Sequence, residues 1–159
     1  LQCYVKAFEY DQAQRTARRL LREFPDHPQT NAVQLEIGYI LIQRGQFSEA
    51  IAFLERVLEW AEGNNAAEAR FYIGQAYQQM GDYRKAIERY YRVAFLGAGA
   101  SSQWITSADF QRAQCHEELG EYAQAASVYE RIIQREGSTG DYGREARKRL
   151  DQLPASDND

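Results

Sequence analysis

The stretch Gly81-Asp82-Tyr83-Arg84-Lys85-Ala86 decides how the chain folds, because related stretches occur at residues 8–13, 45–50 and 120–125. Each copy places an aromatic residue three positions before an alanine, and the aromatics are Tyr10, Phe47, Tyr83 and Tyr122. Successive copies are therefore 37, 36 and 39 residues apart. Recurrence at a period of this length is typical of proteins that stack repeated supersecondary units. The chain of 159 residues is thus predicted to be an array of four units.

The positions around each copy repeat with helical spacing. Apolar side chains recur seven and ten residues after the aromatic, at Ala17, Leu54, Tyr90 and Tyr129 and then at Leu20, Val57, Val93 and Ile132. Nine residues before the aromatic, the last three copies have a small residue, which lets two helices approach closely: Gly38, Gly74 and Ala113. Gly45, Gly81 and Gly120 precede the aromatics, and glycine tolerates the left-handed backbone of a tight turn. Each unit is therefore predicted to be two helices joined by a short turn.

The order of small residue, aromatic, glycine, aromatic and alanine resembles the tetratricopeptide repeat family. It is best matched by Gly74, Tyr77, Gly81, Tyr83 and Ala86. The resemblance implies an all-α fold, a right-handed superhelix of antiparallel helix pairs. We expect units at residues 31–64, 67–100 and 106–139, after a truncated first unit at 1–27. A charged cap helix at 141–153 and a polar tail at 154–159 follow. Leu1 aligns with Gly38, so the first unit is expected to lack most of its first helix.

Composition and charge argue against several classes of ligand. A net charge of -4 offers no overall attraction to nucleic acid, and no nucleic-acid partner is expected. No apolar run is long enough to cross a bilayer, so no membrane span is expected. Cys3 and Cys115 are far apart, so neither a metal site nor a disulfide framework is predicted. Cys3 aligns with Ile40 and Ala76 and is interpreted as a packed thiol rather than a lipid-modified one.

The sequence offers little material for catalysis. His27 is expected in an inter-unit loop, and His116 takes a position that Leu41 and Tyr77 occupy in other units. The small-residue stretch at 97–102 follows a predicted helix rather than a strand, so it does not match a dinucleotide-binding loop. We therefore predict a non-catalytic protein with no cofactor and no metal.

The resemblance implies that the first helices of successive units line a concave groove that holds a partner segment. The positions expected to face outward there include no Lys or Arg, which disfavours the gripping of a terminal carboxylate seen in some family members. They change along the array from apolar to amide-rich to acidic, and this predicts a protein or peptide partner with apolar anchors and a basic or amide-rich end. The chosen groove residues are Leu35, Tyr39, Ile42, Phe71, Gln75, Gln78, Phe110, Gln114 and Glu117.

Two secondary candidates lie elsewhere. A helical stripe of arginines could be a solvated outer face, or could dock an acidic protein, anionic lipid or nucleic acid; it comprises Arg15, Arg18, Arg19 and Arg22. Trp104 follows the longest predicted loop and could contact a partner, or could pack on the neighbouring unit.

The cellular setting is suggested by two stretches. Phe24-Pro25-Asp26-His27-Pro28 and residues 142–150 resemble bacterial cell-envelope repeat proteins, a group that includes the outer-membrane assembly lipoprotein BamD and the Tol-Pal-associated periplasmic protein. The favoured function is therefore a protein-interaction scaffold in a bacterial cell-envelope assembly, with the periplasm or envelope as its location. A regulatory segment of a larger enzyme and a self-association module that forms homo-oligomers are the two alternatives.

Overall fold

The computed structural model describes residues 9–96, 99–137 and 140–154. These residues form eight α-helices and no strand. The helices are α1 (Tyr10–Glu23), α2 (Thr30–Gln43), α3 (Phe47–Val57), α4 (Gly63–Gln79), α5 (Tyr83–Leu96), α6 (Ser102–Glu118), α7 (Tyr122–Glu136) and α8 (Asp141–Gln152). The predictions for the first eight residues, which include Cys3 and the truncated helix, and for residues 155–159 of the tail lie outside the described residues.

Glycines form the turns inside the helix pairs, as predicted. Gly45, Gly81 and Gly120 have φ of 72°, 77° and 71°. At the second of these turns the Gly81 amide donates to the Gln78 carbonyl at 3.0 Å, and the Asp82 amide donates to the Tyr77 carbonyl at 2.9 Å. These two bonds close the helix end with a left-handed residue, which glycine adopts without steric cost. The turn then sends α5 back along α4.

Small residues allow the paired helices to pack closely, and this prediction is also confirmed. A Cβ added at Gly74 would lie 2.6 Å from the ring of Tyr90 on α5. A Cβ at Gly38 would lie 2.4 Å from the side chain of Leu54 on α3. Such distances are far shorter than a carbon–carbon contact of about 3.5 Å, so the second helix can sit this close only because no side chain intervenes.

The curvature of the array follows from which helices meet. Each helix packs against its neighbours in sequence, and in addition α2 contacts α4, α4 contacts α6 and α6 contacts α8. The second helices of consecutive units have no comparable contact within the described part of the chain. The first helices are therefore closer together than the second helices, which places them on the inner, concave side of a right-handed superhelix.

Three apolar clusters run along the array, and consecutive clusters share a helix. The first joins α1 to α4, the second α4 to α6, and the third α6 to α8. Tyr90 and Tyr129 are fully buried at equivalent places in the second and third clusters. Because each cluster needs side chains from the next unit, the units are stable only as a stack.

None of the described helices combines the length and apolar character that crossing a bilayer requires.

Candidate functional site

Three aromatic side chains form the floor of the concave side. Tyr39 on α2, Tyr72 on α4 and Trp104 on α6 are all partly exposed. The ring centroids of Tyr39 and Tyr72 are 5.6 Å apart, and those of Tyr72 and Trp104 are 6.3 Å apart. We call these three residues the aromatic floor. It is continuous across three units because consecutive first helices are in contact.

Four predicted groove residues do not face outward, and that expectation is wrong for them. Leu35 and Ile42 are only 2% and 1% exposed, and Phe71 and Phe110 are 8% exposed. Phe71 packs on Tyr90 and Trp104, with ring centroids 5.6 and 5.3 Å away, while Phe110 packs on Tyr129 and Tyr142 at 5.7 and 5.5 Å. These positions lie at the seam between neighbouring helices, where large apolar side chains are covered by the core.

The amide side chains in the middle of the groove contact buried residues of the core. Gln78 accepts a hydrogen bond from the Tyr90 hydroxyl, with 2.7 Å between the oxygens. Gln75 and Gln114 are partly buried, and the Gln75 side-chain oxygen is enclosed without a hydrogen-bond partner among the described residues. Gln78 and Gln114 line a polar concavity together with Tyr83, Glu117, Glu118 and Arg149. This region can therefore offer amide groups to a bound backbone.

One carboxylate at the acidic end of the groove, Glu117, is compensated by the protein itself. The Tyr129 hydroxyl donates a hydrogen bond to the Glu117 carboxylate. Arg149 on α8 places a guanidinium nitrogen 3.5 Å from the same carboxylate. Sequence reasoning found no cation among the groove positions, because Arg149 comes from the following cap helix rather than from a first helix. The predicted attraction for a basic end is thus reduced at Glu117.

Two other carboxylates, Glu36 on α2 and Glu68 on α4, lie beside the aromatic floor. Burial raises the pKa of Glu36. Burial also raises the pKa of Glu68; a hydrogen bond from Tyr72 opposes this rise and the charge on Glu36 adds to it. Neither carboxylate forms an ion pair with a Lys or Arg of residues 9–96, 99–137 or 140–154. Among the described residues, the aromatic part of the inner face therefore carries negative charge that no Lys or Arg balances.

Glu36 and Tyr72 were missed as candidate residues, although a signal for them exists. Tyr72 follows Glu68 by four residues on α4. Glu36 occupies, on α2 of the preceding unit, the position that Tyr72 occupies on α4. Residues four apart share a helix face. Extending the predicted groove positions by one helical turn would have found both side chains.

The arginine stripe is exposed along its whole length on α1. Arg18 lies 3.4 Å from Glu49 and Arg19 lies 2.7 Å from Glu23. Trp104 is the second secondary candidate, and it packs on Phe71 and Tyr72 while remaining partly exposed. A role for the stripe in binding stays a prediction.

The two histidines considered for catalysis each form a hydrogen bond within the protein, and the described cysteine is buried. His27 is exposed and accepts a hydrogen bond from the Gln29 amide at 3.2 Å. The His116 ring nitrogen lies 2.7 Å from the Glu121 carboxylate. Burial raises the pKa of the Cys115 thiol to about 12, which disfavours its thiolate. Among the described residues, no three His, Cys, Asp or Glu side chains are grouped to hold a metal ion.

A stack of antiparallel helix pairs with an open concave face defines the class of helical-repeat proteins. Sequence models described as tetratricopeptide repeat match residues 2–27, 29–94 and 73–141. The chain belongs to the tetratricopeptide repeat family. No curated protein sequence matches it significantly.

Solved structures of similar fold share little sequence with the chain. A tetratricopeptide repeat protein from Parabacteroides merdae matches with a TM-score of 0.72 and 17% identity, over 96% of this chain and 56% of its own. The chain thus spans little more than half of that protein. Repeats of a putative kinesin light chain from Podospora anserina match with a TM-score of 0.74, at 17% identity, over 94% of this chain and 79% of theirs. PcrH, in complex with the chaperone binding region of PopB, matches with a TM-score of 0.62, at 18% identity, over 77% of this chain and 95% of the matched one.

Proposed function

We propose that this chain is a non-catalytic scaffold that binds a segment of a partner protein along its concave face. The observation that carries the proposal is the aromatic floor, where Tyr39, Tyr72 and Trp104 remain partly exposed on three consecutive first helices. Large aromatic side chains bury much apolar area at little cost in conformational entropy, which makes them effective anchors in interfaces. An unliganded protein leaves such a row facing water only at a free-energy cost.

The amides beyond the floor support a segment that runs along the array. Gln78 and Gln114 each carry a donor and an acceptor, so they can bond the backbone of an extended or helical peptide. The Tyr90 hydroxyl takes one of the two lone pairs of the Gln78 oxygen, so the other lone pair and the NH₂ group remain for a ligand. PcrH, a protein of similar fold, is known with the chaperone binding region of PopB, and this favours segment binding as the use of such an array.

We place this scaffold in a bacterial cell-envelope assembly, on the strength of the two stretches at residues 24–28 and 142–150. Fractionation of the native cells tests the setting, because the proposal expects the protein in the periplasmic or membrane fraction and not with cytoplasmic markers.

Segment binding is tested by selecting short peptides from a displayed random library on the wild-type chain. Each selected peptide is then measured against two variants with matched losses of aromatic area. The groove variant is Tyr39→Ala, Tyr72→Ala. The control is Tyr91→Ala, Phe95→Ala on α5, whose side chains are 45% and 61% exposed and stack at 4.4 Å. Circular dichroism confirms that both variants are folded.

The proposal expects the groove variant to bind at least about tenfold more weakly than the wild type, since an aromatic anchor contributes about 2 kcal/mol. The control should bind as the wild type does. Peptides that lose affinity only for the control would move the binding surface to the outer helices and overturn the proposal.

A further inference from the structure

We propose that the aromatic floor, together with Glu36 and Glu68, binds an arginine or lysine side chain of the partner segment. This inference rests on the proposed function, since it specifies which chemistry the concave face selects. It also changes where the basic residue of the partner sits. The sequence predicts it at the acidic end near Glu117 on α6, whereas the charges in the structure favour a position two helices earlier, beside Tyr72 on α4.

The two acidic regions of the groove differ in how far the protein itself compensates their charge. Glu117 already receives the Tyr129 hydroxyl and the Arg149 guanidinium. Glu68 also receives a tyrosine hydroxyl, that of Tyr72, but neither Glu36 nor Glu68 has a Lys or Arg partner among the described residues, although both are partly buried. Partly buried carboxylates are costly when they are left unpaired. A cation supplied by a partner removes that cost, so its binding is favoured at this place in the groove.

The three rings of the aromatic floor are inclined to one another. Tyr39 and Tyr72 are inclined at 43° to each other, and Tyr72 and Trp104 are almost perpendicular at 81°. The rings are in contact with one another, and rings set at such angles present faces and edges in more than one direction to a group lying over the row. A cation held over the face of Tyr or Trp is attracted by the negative charge of the ring. An arginine also stacks its planar guanidinium on such a face while it donates to a carboxylate.

The occupant of this site must carry apolar surface as well as a positive charge. The carboxylates are accompanied by apolar ring surface on α2, α4 and α6, and the long aliphatic stem of arginine or lysine covers such surface while its charged head reaches the acid. A metal ion would use the carboxylates and leave the rings exposed. Charge complementarity and apolar area together therefore select a basic side chain on a peptide.

The test uses peptides selected on the wild-type chain from a random displayed library, and it first asks whether they contain a basic residue. In each synthetic peptide the arginine is replaced by citrulline, or the lysine by acetyl-lysine. Both replacements remove the charge; citrulline keeps the length of the arginine side chain, and acetyl-lysine keeps the aliphatic stem of lysine but adds an acetyl group. Affinities are measured for the wild type, for Glu36→Gln, Glu68→Gln, and for a control with the same change in net charge, Glu88→Gln, Glu130→Gln, on the exposed faces of α5 and α7.

We expect neutralisation of the basic residue to weaken binding to the wild type and to the control by about tenfold, the effect of one cation–π contact combined with a charge pair. The same replacement should have little effect on binding to the Glu36→Gln, Glu68→Gln variant. Such non-additivity assigns the cation to these two carboxylates.

Two other outcomes separate this inference from the function on which it rests. Some peptides could bind more weakly to Tyr39→Ala, Tyr72→Ala yet keep their affinity when their own basic residue is neutralised. Such peptides would overturn the cation site and leave segment binding intact. An equal loss on neutralisation in the wild type and in Glu36→Gln, Glu68→Gln would also overturn it, because the charge would then be recognised elsewhere. Peptides that are insensitive to Tyr39→Ala, Tyr72→Ala would overturn both.

Discussion

The hydroxyl of Tyr90 donates a hydrogen bond to the side-chain oxygen of Gln78, and this bond of 2.7 Å joins the buried core to the groove wall. Tyr129 and Glu117 repeat the arrangement one unit later. Burial raises the pKa of Tyr90, which keeps its hydroxyl protonated and able to donate. Because a buried hydroxyl requires a partner, the core determines how the Gln78 amide is presented to the groove.

Tyr90→Phe is expected to destabilise the chain by about 1 kcal/mol, the usual net contribution of a hydrogen bond between uncharged groups. Urea unfolding followed by circular dichroism measures the change. Tyr91→Phe serves as the control because Tyr91 is exposed on the same helix. If the two variants are equally stable, the bond to Gln78 contributes nothing to folding.

Gly74→Ala is expected to destabilise the chain by about 2 kcal/mol, because the new Cβ would meet the Tyr90 ring. Tyr90 is fully buried and cannot move aside without disturbing its neighbours. This cost exceeds the gain of at most about 1 kcal/mol that alanine brings to a helix interior. Thermal unfolding checks the result against Gln79→Ala, an exposed change on the same helix. A Gly74→Ala protein that unfolds at a higher temperature than the wild type would contradict the close packing of α4 and α5.

Asp109→Ala should be among the most damaging single substitutions. Its carboxylate is fully buried and lies 2.9 Å from Arg112 on α6 and 3.1 Å from Arg135 on α7. Burial raises the pKa of Asp109, and Arg131 and Arg135 oppose that rise. Removing the acid leaves Arg112, itself only 4% exposed, without its counter-charge, so we expect a loss of about 3 kcal/mol.

The comparison for Asp109→Ala is Glu88→Ala, which breaks the exposed pair with Arg92. Exposed pairs contribute less than about 1 kcal/mol, so chemical denaturation should separate the two variants clearly. Similar losses of unfolding free energy in both variants would mean that the buried ion pairs of Asp109 stabilise the chain no more than an exposed pair does.

Glu68→Gln is expected to stabilise the chain at neutral pH. The pKa of Glu68 is raised in the folded protein above its ordinary value of 4.5, so the folded state binds a proton more tightly than the unfolded chain does. Stability of the wild type therefore falls as pH rises from 4.5 through the raised pKa, and the whole penalty is present above it. The glutamine variant lacks this penalty.

Thermal unfolding across pH tests this expectation, with Glu88→Gln as the control. The difference in unfolding temperature between Glu68→Gln and the wild type should shrink as the pH falls from the raised pKa of Glu68 towards 4.5. It should vanish below pH 4.5. An unfolding temperature below that of the wild type at neutral pH would show that the Glu68 charge is already compensated within the chain.

Much of the fold is readable from the sequence because its determinants are local. The glycine at position 81 must adopt positive φ, and the one at position 74 must leave room for Tyr90; both requirements are visible as residue types at fixed offsets. The same offsets in the neighbouring units establish the repeat. Helix pairing, turn position and the stacking of units follow from such patterns, since each depends on residues within one unit or the next.

The sequence by itself therefore determined the helix pairs, their turns and the stacking of the units, while the choice of groove residues stays a prediction. Only the tertiary structure decided which of those side chains reach solvent. Phe71 and Phe110 are covered because neighbouring helices touch, Arg149 lies beside Glu117 because α8 packs against α6, and the charge of Glu36 on one first helix acts on Glu68 on the next. Exposure and charge balance depend on the separation and curvature of neighbouring helices, and no spacing within a single unit encodes either quantity.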